Sequence, residues 1–256
     1  MDNLLNVIDT AVFTQPVVKH DHNIRFLSEA LRLSASVVQI IDKNTVRCGE
    51  ETYEGENLIL CTGSETFIPP IPGVDAVNYW THRDALDSKE LPASLAIVGG
   101  GVIGMEFASF FNSLGVQVTV VEMMDEILGG MDKELSALLR AEYTKRGIKF
   151  LLSTKVVGLS QTEEGAVVSY ENAEGNGSVI AEKLLMSVGR RPVTKGFGLE
   201  NLNLEKTERG AVKVDEKMQT SVPGVYVCGD LTGFSLLAHT AVREAEVAVH
   251  SILGKE

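Results

Sequence analysis

The chain has 256 residues, of which 44% are hydrophobic and 23% charged, and this mix is typical of a soluble globular protein. That length suits one large domain or two ordinary ones. The formal net charge of −12 at pH 7 disfavours a protein that binds the phosphate backbone of nucleic acids, since such proteins usually carry a basic excess. It does not exclude an anionic ligand, because the backbone amides of a glycine loop hold phosphate without any lysine.

No feature of the sequence indicates export or membrane insertion. The first ten residues, MDNLLNVIDT, lack the basic start and the apolar run of a secretory signal, and no uncharged apolar window approaches the ~20 residues of a membrane-spanning helix. The cysteines Cys48, Cys61 and Cys228 form no C-x-x-C or C-x4-C pair and are interpreted as reduced core thiols. We therefore expect a cytoplasmic protein with no nucleic-acid partner, no membrane partner and no metal site.

The first 90 residues predict a short helix followed by short strands. Apolar residues recur every three or four positions in NIRFLSEALRL, residues 23–33, and the preceding KHDH is interpreted as a solvated polar turn rather than a metal site. The segments VVQIID, TVRC and TYEG, separated by turn residues, predict antiparallel strands. ENLILCTGS predicts an apolar strand that stops at Thr62 and Gly63. The prolines of FIPPIPGV predict a linker, since they fit neither a helix nor a central strand.

From Leu91 onward the chain alternates strands and helices. A strand is predicted in LAIVGGG, an apolar-faced helix in VIGMEFASFFNSLG, and a second strand, parallel to the first, in VQVTVVE. A second helix at residues 132–146 and a strand in IKFLL follow. KVVGLSQ, AVVSYEN and SVIAEKL predict a β-meander, and LLMSVGR predicts a buried strand. The last segment predicts an apolar strand in KMQTSVPGVYVCGD and a helix in LAHTAVREAEVAVHSIL, with alanines on one face.

A glycine motif stands between the first strand and helix of this second region. Gly99, Gly101 and Gly104 spell G-x-G-x-x-G in the strand-to-helix context that makes the pattern specific. The first glycine permits a tight turn, the second lets the backbone approach a pyrophosphate, and the third lets helix and strand pack closely. The helix N-terminus offers N–H groups to the phosphates. This context predicts a dinucleotide site, and a glycine-rich turn without a ligand remains the alternative.

Two acidic residues refine the prediction. Glu122 ends the next strand, 18 residues past Gly104 (122 − 104). An acidic side chain there binds a ribose 2′-OH and repels a 2′-phosphate, so NAD is predicted over NADP, and the following MMDEIL contains no Arg. Glu106 is expected in the first turn of the helix. There it is either a carboxylate favoured by the helix dipole or a group against the nicotinamide, and the sequence leaves both open.

The chain resembles the pyridine nucleotide–disulfide oxidoreductases, and most of all their dihydrolipoamide dehydrogenase branch. The resemblance is carried by the combination of the glycine loop, the meander, VGRRP and VYVCGD. The resemblance extends from about Gln39 to the C-terminus. It implies an α/β fold in which a Rossmann-like NAD-binding domain with a β-meander, residues 91–212, is inserted in a partial FAD-binding α/β domain. That second domain is split between residues 1–90 and residues 213–256.

The resemblance also assigns residues to cofactors. LILCTGS resembles the family's A-T-G-S strand end, with Cys61 in place of Ala, and Glu106 matches a family Glu near flavin and nicotinamide. The residues implied in NAD binding are Gly99, Gly101, Val102, Ile103, Gly104, Glu122, Gly189 and Arg190. Those implied in FAD binding are Thr62, Gly63, Gly229, Asp230, Ala238 and His239, with Asp230 on the ribitol and the last two beside the flavin ring.

The chain departs from the family pattern in three ways. Residues 1–60 show no first G-x-G-x-x-G, no C-x4-C redox pair is present, and the flavin-proximal Lys belongs to that same missing region. The family's interface domain would follow Glu256. We therefore expect a truncated, central section of such an enzyme, which binds NAD(H), holds FAD weakly or not at all, and forms a homodimer that covers its strand edges.

The complete enzyme implied by the resemblance transfers hydride between NAD(H) and FAD and then exchanges electrons with a disulfide or dithiol substrate. The alternative is a non-catalytic NAD-binding or assembly module derived from that family.

Overall fold

The computed structural model describes residues 38–254. The helix predicted at residues 23–33 and the KHDH turn lie outside this range. The described chain divides into two compact units, of which one holds the residues up to Glu65 and from Arg191 onward, and the other holds Thr66–Arg190. None of the described helices has the length and apolar character needed to cross a membrane.

The first unit opens with the predicted antiparallel strands. They are β1 (Val38–Ile40), β2 (Thr45–Cys48) and β3 (Glu51–Glu54), joined by tight turns in the order β1-β2-β3. The predicted apolar strand follows as β4 (Leu58–Leu60), and then comes β5 (Ser64–Thr66). As predicted, the proline-rich linker after β5 contains neither helix nor strand until a short 3-10 turn at Val74–Ala76.

Two elements that the sequence reasoning missed begin the second unit. They are β6 (Tyr79–Trp80) and α1 (His82–Asp87). A reciprocal capping box starts α1: the side chain of Thr81 caps the backbone of the first turn, and the carboxylate of Asp84 accepts the N–H of Thr81 at 2.7 Å. The T-x-x-D spacing at residues 81–84 is the signal that could have predicted this helix.

A five-stranded parallel sheet forms the centre of the second unit. To β6 are added β7 (Ser94–Val98), β8 (Gln117–Val121), β9 (Lys149–Leu151) and β13 (Lys183–Met186), in the order β6-β13-β7-β8-β9. All four pairings are parallel. The predicted crossover helices are α2 (Val102–Ser113) and α3 (Lys133–Lys145), and the side chain of Asp132 caps α3 by accepting the N–H of Glu134 and Leu135.

Both faces of this sheet are covered, so its strands read as continuous apolar runs. Leu95 and Ile97 of β7 pack with Phe111 of α2 on one face, while Ala96 and Val98 belong to a second buried cluster on the other. The predicted meander supplies that second cluster through β10 (Lys155–Thr162), β11 (Gly165–Asn172) and β12 (Gly175–Ala181), which pair antiparallel.

The chain returns to the first unit through β14 (Arg190–Pro192), which pairs with β5. The predicted strand and helix of the last segment are β15 (Val225–Val227), which lies parallel to β4, and α4 (Ala238–Ile252). On one side of β4 and β15, Leu60 and Val227 join the apolar core, and on the other Tyr226 packs with Ala245 and Ala248 of α4.

The division into units differs in its bounds from the residue ranges expected from the sequence. Residues 66–90 lie with the parallel sheet, because β6 pairs with β13. Residues 191–212 lie with the first unit, because Leu199, Leu202 and Val212 belong to the core cluster of β4 and β15.

Candidate functional site

The glycine loop after β7 is built so that two of its glycines exclude any side chain. Gly99 has a φ of 108°, and a Cβ atom there would lie 2.3 Å from the carbonyl oxygen of Ser187. A Cβ atom at Gly104 would lie 2.2 Å from the carbonyl oxygen of Gly99. The tight turn and the close helix–strand contact predicted for these two positions are therefore present.

Gly101 differs from both, because a Cβ atom there would meet no atom within 4 Å. It precedes α2, and no side chain caps this helix, so the N–H groups of its first turn are presented beside an open strip of backbone. Val102 and Ile103 are the first two residues of α2, the former 58% exposed. This geometry suits the approach of a phosphate group to the backbone.

The loop lies at a topological switch point of the parallel sheet. From β7 the chain adds β8 and β9 on one side, whereas β13 joins β7 on the other side. At the carboxyl ends, the N–H of Gly99 donates to the oxygen of Val121 at 2.9 Å, and the N–H of Ser187 donates to the oxygen of Val98 at 2.8 Å. Ligands of open α/β sheets bind in the crevice at such a point.

Glu122, directly after β8, faces this loop. One oxygen of its carboxylate accepts the N–H of Gly100 at 2.5 Å and the other accepts the N–H of Met124 at 2.7 Å. The side chain is partly exposed, and a carboxylate has lone pairs left after two such bonds, so it can still accept from sugar hydroxyls. The acidic residue predicted for ribose recognition is thus held in place by the glycine loop itself.

Cations near this loop are bound to carboxylates. Arg140 makes two hydrogen bonds to Glu126, at 2.7 and 2.9 Å, and Lys133 contacts Asp125 at 2.7 Å. The hydrogen bond from Arg140 lowers the pKa of Glu126, and the one from Lys133 lowers the pKa of Asp125. Arg140 is therefore held by a partly buried pair, whereas the pair of Lys133 with Asp125 is largely exposed to solvent.

The expectation for Glu106 needs a correction. The helix begins at Val102 and its first turn contains no acidic residue, so Glu106 lies in the second turn, where its side chain is exposed. The dipole effect falls off within the first turn, and the interpretation of Glu106 as a dipole-stabilised carboxylate loses its basis. The alternative, contact with a nicotinamide, does not depend on that placement.

The G-R-x-P turn follows β13 and lies two residues beyond the backbone that packs on Gly99. Gly189 has a φ of 126°, a Cβ atom there would meet nothing within 4 Å, and its carbonyl oxygen accepts the N–H of Phe67 at 2.9 Å. Arg190 is partly buried, with its guanidinium 3.4 Å from Nε2 of His82, whose Nδ1 lies 3.1 Å from the hydroxyl of Thr66. The fold thus brings this turn and the glycine loop to the same edge of the sheet.

In the first unit, the residues assigned to FAD lie after the paired strands β4 and β15. The hydroxyl of Thr62 donates to the oxygen of Val193 at 2.8 Å, and the oxygen of Gly63 accepts the N–H of Val193 at 3.0 Å. The half-buried carboxylate of Asp230 accepts a hydrogen bond from the hydroxyl of Ser64. Asp230 therefore keeps acceptor capacity for a ligand hydroxyl, while the Thr62 hydroxyl is engaged within the protein.

Ala238 and His239 begin α4, and both are exposed. No side chain caps this helix. The residues just before it form an apolar surface, with Phe234 84% exposed and Leu236 and Leu237 about half exposed. A flat aromatic ligand beside this helix start would cover that surface.

Two groups near these sites escaped the sequence reasoning. Glu244 of α4 is buried, accepts the N–H of Gly229 at 2.6 Å and lies 3.4 Å from the hydroxyl of Thr232, and burial raises its pKa. The hydroxyl of Ser187 is buried with no hydrogen-bond partner in the described range. Glu244 was detectable, since it interrupts the alanine face of its helix. Across residues 38–254, no group of three His, Cys, Asp or Glu side chains is arranged to hold a metal ion.

Comparison with known proteins agrees with this arrangement. A family model described as pyridine nucleotide-disulphide oxidoreductase matches residues 4–245, which starts upstream of Gln39, where the motif resemblance begins. The dihydrolipoyl dehydrogenase of Thermus scotoductus is 40% identical over 80% of this chain and 45% of its own length. The mitochondrial dihydrolipoyl dehydrogenase of Caenorhabditis elegans is 37% identical over 84% of this chain and 45% of its own length.

Among solved structures, the HOCl-induced flavoprotein disulfide reductase RclA from Escherichia coli superposes with a TM-score of 0.79 at 28% identity, over 86% of this chain and 50% of that one. The chain spans about half the length of the curated relatives it matches. These matches confirm the family resemblance and the α/β fold class predicted from the motifs.

Proposed function

The chain belongs to the pyridine nucleotide-disulphide oxidoreductase family, and from this premise we propose that it forms the NAD-binding core of a flavin-dependent oxidoreductase similar to dihydrolipoamide dehydrogenase. The complete enzyme transfers hydride between NAD(H) and FAD and then exchanges electrons with a disulfide or dithiol substrate. When bound, the two cofactors supply the redox chemistry, and the residues of this chain bind and orient them.

One observation carries the proposal: Gly101 presents open backbone at the start of α2, beside a carboxylate that the same loop holds in place. The pyrophosphate of NAD would lie against the N–H groups at Val102 and Ile103, where the helix end carries partial positive charge. On the other side of the crevice, the open face of Gly189 and the guanidinium of Arg190 complete the site.

The choice between NAD and NADP follows from charge. The carboxylate of Glu122 accepts two N–H groups and can accept a ribose hydroxyl as well, but a 2′-phosphate at the same place would be repelled. The less exposed of the two nearby cations, Arg140, is held by Glu126 through two hydrogen bonds. We therefore assign NAD(H) to this chain.

For FAD, the chain offers a partial site. Asp230 would accept from the ribitol, Thr62 and Gly63 would lie along the cofactor, and Ala238 and His239 would border the flavin ring. Among the described residues, the N–H of Gly229 is donated to Glu244 and the hydroxyl of Thr62 to Val193, so these two donors are not available to the cofactor. FAD is accordingly held weakly or not at all by this chain. Glu106, exposed on α2, is assigned to the nicotinamide side.

The remaining assignments rest on the family. The organisation we propose is an NAD domain inserted between two FAD-type segments, with the unit Thr66–Arg190 as its body in place of the expected residues 91–212. We propose homodimers as the assembled form and the cytoplasm as the compartment. Sizing chromatography at high concentration tests the assembly, and a strictly monomeric elution counts against it.

The proposal is tested by two measurements on the purified chain. Titration with NADH and NADPH, followed by nicotinamide fluorescence, is expected to give tighter binding of NADH. A visible spectrum is expected to show little or no band at about 450 nm, where oxidised flavin absorbs and protein does not. Failure to bind NADH would remove the assignment.

A second candidate is a non-catalytic NAD-binding or assembly module. The sequence favours it in one respect, because its three cysteines include no C-x4-C pair. Against it stand Asp230 and the LLAHTA segment, which only a flavin requires. A stoichiometric flavin band in the purified protein would exclude this candidate.

A further inference from the structure

Two cysteines that are far apart in sequence meet at the ends of paired strands in the first unit. In β4 and β15 the register pairs Leu58 with Val225, Ile59 with Tyr226 and Leu60 with Val227. The ladder continues by one bond, since the N–H of Cys228 donates to the oxygen of Leu60 at 3.0 Å. Cys228 is itself extended, with φ −135° and ψ 157°. Cys61 and Cys228 are therefore the next pair in register.

Side chains of residues in register point to the same face of a sheet, and neighbouring strands lie about 4.7–4.9 Å apart. That spacing falls within the Cα separation of about 4.4–6.8 Å that a disulfide spans. Both cysteines belong to the cluster under α4, with Tyr226, Ala245 and Ala248. The two thiols also shift each other's pKa in opposite directions, as expected of neighbouring groups.

We propose that Cys61 and Cys228 are a redox-active dithiol, which forms a reversible disulfide by exchange with low-molecular-weight disulfides such as oxidised glutathione. The pair is separate from the C-x4-C motif of the family, which this sequence lacks. It does not depend on the cofactor assignments above.

The two thiols have different environments, and this sets their order of reaction. Cys61 is partly exposed, and the hydrogen bond from Cys228 lowers its pKa. Cys228 is 2% exposed, and that hydrogen bond together with burial raises its pKa. The buried Glu244 opposes ionisation of both. Since the thiolate is the nucleophile, Cys61 attacks first and Cys228 resolves.

The thiolate of Cys61 attacks one sulfur of R–S–S–R, which gives the mixed disulfide Cys61–S–S–R and releases RS⁻. Cys228 then gives up its proton, its thiolate attacks the sulfur of Cys61, and the second RS⁻ leaves and takes up that proton. In sum, two protein thiols are oxidised to one disulfide and R–S–S–R is reduced to two RSH, with the proton of Cys61 taken up by the first RS⁻.

The test is incubation of the purified full chain in oxidised glutathione, followed by alkylation of the remaining thiols and peptide mass spectrometry. We expect two of the three thiols to be lost, a peptide linked through Cys61 and Cys228, and full recovery on reduction. Unchanged thiols, or glutathione retained on Cys61 without the linked peptide, would overturn the proposal.

Variants separate the roles of the thiols. Cys228→Ser is expected to retain glutathione on Cys61, because no resolving thiol is present. Cys61→Ala is expected to leave Cys228 unreacted, and the matched control Cys48→Ser to form the linked peptide as the wild type does. Circular dichroism identifies any variant that fails to fold, and the wild-type linked peptide decides the matter independently of the variants.

Discussion

The carboxylate of Glu244 accepts a hydrogen bond of 2.6 Å from the backbone N–H of Gly229. This bond joins α4 to the turn after β15, within the part of the first unit that carries Asp230. Glu244 shares its helix face with Ala241, Ala245 and Ala248, and it is only 6% exposed. A buried carboxyl group on an apolar face makes the stability of this unit depend on pH.

Glu244→Gln is expected to remove that dependence. Burial raises the pKa of Glu244 above the ordinary value of 4.5, so the folded state binds a proton more tightly than the unfolded state. The stabilisation is complete below pH 4.5 and is lost as the pH rises through the folded-state pKa. Relative to Glu244→Gln, the wild type should therefore lose free energy of unfolding as the pH rises from about 4 to about 8.

Urea denaturation at a series of pH values measures this difference. Glu246→Gln is the matched control, because it removes the same charge from the exposed face of α4, and it should keep the pH dependence of the wild type. A constant difference between the wild type and Glu244→Gln over this range would contradict the prediction.

The glycine loop allows binding and folding to be separated. Gly101→Ala places a methyl group in open space, so it should lower the free energy of unfolding by less than about 1 kcal/mol, the cost of alanine at a helix N-cap. It should weaken NADH binding at least about tenfold, or about 1.4 kcal/mol. Gly104→Ala places the same group 2.2 Å from the oxygen of Gly99, and it should destabilise the fold by about 1–3 kcal/mol.

Thermal unfolding and NADH fluorescence titration of both variants test this pair. Gly158→Ala, in β10, is a control for substitution of a glycine with space around it, since its Cβ atom would lie 3.8 Å from the nearest atom. It should change neither property strongly. Wild-type NADH affinity in Gly101→Ala would refute the assignment of this loop.

Much of this arrangement could be predicted from the sequence because its signals are local. The glycine loop, α2 and β8 are contiguous, and their spacing alone indicates a dinucleotide site. The meander follows from alternating residues and turn glycines. In contrast, β6 has two residues and too short a pattern to detect, so residues 66–90 were expected in the other domain.

What the sequence could not show depends on contacts between distant segments. Cys61 and Cys228 become neighbours only through the pairing of β4 with β15, and a search for spaced cysteine motifs cannot find them. Glu106 was placed one turn too early, because the helix start was not fixed to the residue. The sequence shows Glu244 as a charged residue on the apolar face of its helix, but it does not show that the carboxylate accepts the N–H of Gly229.

Glu122→Gln is expected to reduce the preference for NADH over NADPH by about tenfold, since it removes the charge that repels a 2′-phosphate. The side-chain amide of glutamine also places its NH₂ group, a donor, against one of the two backbone N–H groups that the Glu122 carboxylate accepts, so one hydrogen bond is lost. The affinity for both nucleotides should therefore fall as well. The ratio of the two dissociation constants is therefore the readout.

Glu163→Gln is the matched control for charge. This exposed residue lies in the turn between β10 and β11, outside the glycine loop and β8, so the variant should keep the wild-type ratio. Equal loss of selectivity in both variants would show that net charge, and not the position of Glu122, sets the preference.

Two buried hydroxyl groups, those of Ser136 and Ser187, have no hydrogen-bond partner among the described residues. A buried polar group without a hydrogen bond costs about 1–3 kcal/mol, and alanine removes it with little change of shape. Ser136→Ala and Ser187→Ala should therefore raise the free energy of unfolding, by about 1 kcal/mol each.

Urea denaturation measures the change. Ser113→Ala is the control, because the hydroxyl of Ser113 donates to the oxygen of Phe110 at 2.7 Å, and its loss should not raise the free energy of unfolding. Destabilisation by more than about 1 kcal/mol at Ser187 would mean that this hydroxyl has a partner in solution.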